Sequence, residues 1–136
     1  MSKTENIEKN SEDNDSSTAG RLSRALFSFL DFLNHQTASL GIAITLLAIR
    51  QFGNNFNFTI VTDVLGLLLA SYSLYVSIKA TNDFRSFLNS VQPENERMIS
   101  MKQDIAGWIV VGYANIFIVM LCVIGFLGFN IYEYLL

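Results

Sequence analysis

Proline, cysteine and histidine each occur once in these 136 residues, as Pro93, Cys122 and His35. A single cysteine excludes an internal disulfide framework and any multi-cysteine zinc or iron–sulfur site. A single histidine excludes a clustered histidine metal centre within one chain. Charge is scarce as well, at 15% of residues, where a soluble domain carries about a quarter. The formal charge is −3, and without a basic stripe this argues against nucleic-acid binding. There is no glycine-rich phosphate loop, no nucleophile beside a base and no paired carboxylates in one apolar stretch. Neither an enzyme nor a bound cofactor is expected.

What is present is apolar, at 51% of residues with 11 Phe, and it is unevenly distributed. Between Asp104 and Glu133 lie 28 consecutive uncharged residues, between Asp31 and Arg50 another 18, and between Asp63 and Lys79 another 15. A chain this short cannot wrap three such runs in polar surface, so the expected class is an all-α integral membrane protein with three spans. The spans are placed at about residues 37–53, 58–80 and 105–129. No apolar leader precedes them, so the first span is expected to direct its own insertion.

The rest of the chain fills in around the spans. Residues 1–20 hold five acids (Glu5, Glu8, Glu12, Asp13, Asp15) against two lysines, with almost nothing apolar, and are expected to be a disordered acidic tail. Residues 21–136 are expected to form one membrane domain. In residues 22–35, Leu22, Leu26, Phe29 and Leu33 recur at helical spacing with Arg24, Ser28 and Asp31 on the other side. That is the pattern of an amphipathic helix lying at the headgroup interface, although the stretch also suits a continuation of the first span. Gly53-Asn54-Asn55 breaks the helix after it. The second span keeps its periodicity through Phe84, Phe87, Leu88 and Val91 up to Pro93, which halts it. A third helix starting at Pro93 with Glu94 and Glu96 in its first turn would complete a helical hairpin protruding from the membrane.

Six of the seven basic residues after residue 20 (Arg21, Arg24, Lys79, Arg85, Arg97, Lys102) fall on one side of this arrangement and only Arg50 on the other. The excess of positive charge on cytoplasmic loops then puts the N-terminus and the hairpin in the cytoplasm and the C-terminus outside. Trp108, Tyr132 and Tyr134 lie near the expected boundaries, and residue usage suits a bacterial inner membrane.

The residues that could carry function are polar groups inside these runs. Asp63 is a carboxylate within a span, where an unpaired charge is costly. Arg50 is within reach across the short turn, so the two form either a structural ion pair or the mouth of a pore. Thr59, Thr62, Gly66, Ala70, Ser73 and Ser77 share one face of span two at spacings of three and four, either as a packing seam or as the lining of a conduit. Gly41, Thr45 and Ala48 suggest a matching seam on span one, and Gly107, Ala114, Gly125 and Gly128 supply small positions on span three. Asn115, nearly mid-span, is expected to hydrogen-bond another helix. The expected partners are the lipid bilayer and other copies of the chain, or the other subunits of a membrane complex. The expected role is a non-enzymatic subunit or scaffold. The alternative is a homo-oligomeric channel or membrane-permeabilising effector with the Asp63 stripe along its conduit.

Overall fold

The computed structural model describes the backbone of residues 3–53 and 55–135, and the side chains of residues 18–53 and 55–135. Among the described residues there is no strand. Three helices follow one another as α1 (Lys3–Arg50), α2 (Phe56–Ser90) and α3 (Glu96–Leu135). Each is long and apolar enough to cross a membrane, with the qualifying part of α1 running over Thr18–Arg50. The architecture is therefore that expected of a small membrane protein.

α1 carries residues 22–35 and the first span on a single helix, with no break between them. The reason is local. The polar stretch around His35 contains no breaker, and its side chains return to their own helix: Thr37 Oγ1 donates to Leu33 O at 2.9 Å, and His35 Nδ1 lies 2.9 Å from Asp31 O. Such bonds one turn back satisfy the hydroxyl and ring nitrogen without competing for a different backbone path. The helix begins at Lys3, ahead of residue 22. The side chains of most of the expected acidic tail lie outside the described residues.

The first turn ends α1 as expected, through Phe52 N donating to Ile49 O and Gly53 N to Arg50 O. α2 is capped at its start by Asn55, whose Oδ1 accepts from Asn57 N at 3.1 Å. It ends at Ser90, and Val91 turns to extended backbone two residues ahead of Pro93. Lys102 closes that end by donating from Nζ to Val91 O at 2.7 Å, a cation on the carbonyl end of a helix. α3 starts at Glu96 rather than Pro93. Its first turn closes on Asn95, whose carbonyl accepts from Ile99 N, so Pro93 and Glu94 remain in the connecting turn.

The three helices run alternately antiparallel, and a seven-residue step organises all of them. On α1 the step runs through the buried Leu22, Phe29, Gln36, Ala43 and Arg50, with Leu40 buried beside it; on α3 the buried positions are Met98, Ile105, Gly112, Val119 and Phe126. On α2 the step runs through Asp63, Ala70, Ser77 and Phe84 to Val91, with Gly66, Ser73 and Ala80 filling the intermediate positions. A step of seven keeps the same face inward only when helices wind around one another in a left-handed supercoil. The half nearer the 91–95 turn is packed with apolar side chains, among them Leu22, Leu88, Met98 and Ile105. There Phe29 stacks on Phe84 with ring centroids 4.5 Å apart.

This step corrects two readings of small residues. Gly41, Thr45 and Ala48 are exposed and form no seam inside the chain, because the inward face of α1 is set by the line from Leu22 to Arg50. On α3 the glycine at the interior is Gly112, where a Cβ would come within 2.7 Å of Thr81 Oγ1 and 2.9 Å of Phe29 Cζ. Gly107, Gly125 and Gly128 have no neighbour within 4 Å of where a Cβ would sit.

Candidate functional site

Two polar layers interrupt the apolar interior. The first lies where the end of α1, the start of α2 and the end of α3 meet. Arg50 and Asp63 are both buried, and Arg50 Nε lies 3.1 Å from Asp63 Oδ1. The antiparallel pairing of α1 and α2 places them at one depth, on positions that the seven-residue step turns inward. α3 then closes over the pair. Glu133 brings its carboxylate to Arg50 Nη2, Tyr134 donates its hydroxyl to Asp63 Oδ2 at 2.9 Å, and the Phe129 ring lies 5.1 Å from the Arg50 guanidinium carbon. A guanidinium suits this place because its planar fork can meet two carboxylates and a ring face at once.

The cluster holds one positive and two negative groups. Arg50 Nη1 has no hydrogen-bond partner among the described residues. It lies beside a small polar cavity of about 190 Å³ lined by Arg50, Gln51, Gly53, Thr59, Phe129 and Glu133. The Glu133 side chain is 50% exposed, so the cluster is open on the α3 side and closed on the others.

The second layer lies about midway along the three packed helices. Asn115 Nδ2 donates to Gln36 Oε1 at 2.6 Å and approaches Ser77 Oγ at 3.3 Å, so one amide joins all three helices. Ser73 Oγ donates to Leu69 O on its own helix at 2.9 Å and lies 3.3 Å from Gln36 O on α1. Gln36 is 1% exposed, and among the described residues its Nε2 has no partner, as is also true of Thr81 Oγ1 nearby on α2. In an apolar surrounding an amide must find its partners within the protein.

The stripe on α2 can be placed residue by residue. Thr62 is buried and spends its hydroxyl on its own helix, at Phe58 O and Thr59 O. Gly66 lies directly under the Phe126 ring, which a Cβ would strike. Ala70, Ser73 and Ser77 are buried between the helices, and Thr59 is half-buried at the rim of the polar cavity. Beyond the residues expected from sequence, the two layers also contain Gln36, Thr81, Glu133 and Tyr134. Among the described residues no three His, Cys, Asp or Glu side chains gather as a metal site would require. Cys122 is half-buried and free.

Comparison with protein-family models, with curated proteins and with solved structures finds no match to this chain. Its function must therefore be argued from its own residues.

Proposed function

We propose that this chain is a non-enzymatic, multi-pass membrane subunit or scaffold that acts through helix–helix association in the bilayer. The observation that carries the reading is where the small and polar residues go. Those of α2 are consumed inside the chain: Ser73 and Ser77 are wholly buried, and Phe126 fills the space over Gly66. A stripe closed in this way supports packing and leaves no room for a conduit along it.

The surface left for partners is on α3. Gly107, Ala114, Leu121 and Gly128 are exposed and step in sevens, two residues round from the buried line. Two residues correspond to ~200° of helix, so this second line faces away from the chain's own core. Small residues at such spacing allow a second helix to approach closely where lipid offers no hydrophobic drive. Another copy of the chain, or a partner subunit, would fit there.

The distribution of basic residues supports an orientation with the N-terminus and the 91–95 turn in the cytoplasm and the C-terminus outside. The setting we favour is a bacterial inner membrane, with residues 22–35 continuing the first span past its inner boundary.

Oligomeric state in lipid nanodiscs tests the scaffold reading. The wild-type chain is expected to associate, and Ala114→Leu with Gly128→Leu is expected to weaken association while leaving the helical content unchanged. Ion flux through proteoliposomes of the purified chain would overturn the reading in favour of the channel.

A further inference from the structure

A groove runs along the outside of α1 and α2, with a volume of about 370 Å³ and a floor that includes the stacked Phe29–Phe84 pair. That volume lies in the range of small-molecule sites. Its walls are apolar or aromatic, and it carries two charged groups, Lys79 and Asp83. They stand one turn apart on α2, both exposed, and neither makes a hydrogen bond or ion pair with a described residue. A lysine four residues before an acid is the poorer order for a pair along a helix. Both charges are therefore free to meet something else.

The depth of the groove says what that is. Asp63 is held in the Arg50 cluster, and the 15 residues from there to Lys79 are uncharged. Sixteen steps along a helix cover about 24 Å, close to the ~30 Å of a hydrocarbon core. Lys79 therefore stands at the opposite boundary, where lipid phosphates lie. Tyr72, Tyr75 and Val76 line the groove on the hydrocarbon side of it, and Asp83 lies one turn farther out, level with the Phe29–Phe84 floor. Along the membrane normal the groove offers apolar wall, then cation, then anion. A phospholipid with an amine headgroup presents the complement in the same order: acyl chain, phosphate, ammonium.

We propose that this groove binds one phosphatidylethanolamine, with an acyl chain along Tyr72, Tyr75 and Val76, the phosphate on Lys79 and the ammonium on Asp83 beside the Phe29–Phe84 floor. The amine donates hydrogen bonds to the Asp83 carboxylate. The trimethylammonium of phosphatidylcholine cannot, and the headgroup of phosphatidylglycerol has no cation for it.

Native mass spectrometry of the full chain in detergent tests this, with dioleoyl forms of the three lipids added in turn. The expected result is one bound phosphatidylethanolamine per chain, favoured over phosphatidylcholine by about tenfold, as one charge-assisted hydrogen bond gives. Lys79→Ala is expected to weaken binding by a similar factor. Asp83→Asn is expected to reverse the preference toward phosphatidylglycerol, because only the cation remains. Both positions are exposed, so neither change threatens the fold. Equal binding of the three lipids, or an unchanged order in Asp83→Asn, would mean an annular lipid only and overturn the site. The proposal rests on the membrane reading, and the two fail differently: release of the chain from membranes by alkaline carbonate overturns both, whereas retention without lipid preference overturns the site alone.

Discussion

At the scale of single residues, the interior is held by groups that cannot be removed one at a time. Arg50 is buried against Asp63, and a buried charge stripped of its partner costs far more than the pair is worth. Asp63→Ala is expected to lower stability by about 3–5 kcal/mol, measured by detergent titration of the purified chain in micelles. Arg50→Met combined with Asp63→Leu should recover most of that loss, because no charge is then left behind. Glu133→Gln should cost less than ~1 kcal/mol, since its half-exposed side chain keeps access to water or headgroups. Glycines divide in the same way by what lies over them. Gly66→Ala drives a methyl into the Phe126 ring and is expected to cost about 1–3 kcal/mol, with Phe126→Leu restoring part of it. Gly125→Ala meets nothing within 4 Å, and its unfolding curve should overlay that of the wild type.

At the scale of the element, each helix is defined by one inward line, and how readily that line can be read in advance depends on contrast. α2 offers contrast: small and polar residues alternate with leucines, so the face containing Thr62, Gly66, Ala70, Ser73 and Ser77 can be traced from spacing alone. α1 conceals its line because two of the five positions along it are Gln36 and Arg50, which a search for apolar periodicity passes over. Stepping in sevens from Leu22 would have found them. α3 is apolar on every side between Asp104 and Glu133, so nothing in its composition distinguishes Gly112 from Gly107 or Gly125. Glu133 and Tyr134 escaped for another reason: the helix continues beyond residue 129, and its last turn returns to the Arg50 end of the bundle. The mid-bundle layer gives a test at this scale. Gln36→Leu and Asn115→Leu should each destabilise, and the double variant should cost less than the two together. The expected coupling is about 0.5–2 kcal/mol, the range of interhelical hydrogen bonds in membranes, read from a double-mutant cycle in micelles.

At the scale of the whole molecule, the helices are longer than the bilayer they would cross. α2 has 35 residues and α3 has 40, so each extends ~50–60 Å, well beyond ~30 Å of hydrocarbon. With the Arg50 cluster near one boundary, the excess emerges at the other, around the 91–95 turn. In a Cys122→Ser background, a cysteine at Ser90 is expected to react with a membrane-impermeant maleimide from one side only, and one at Tyr132 from the other. Labelling of both from the same side would refute a three-span path. A repeat of seven shared by neighbouring helices also has a hazard, because sliding one helix past another by seven residues restores every apolar contact of the same kind. The polar layers remove that degeneracy. Slipped by one heptad in one direction, Arg50 would face Ala70 and Gln36 the Phe84 ring; slipped in the other, Asp63 would face Ala43, so either slip leaves a charge uncompensated beside a methyl group. Arg50–Asp63 and Gln36–Asn115 thus work as index marks on an otherwise uniform ruler, making one alignment of the three helices distinguishable from its near copies.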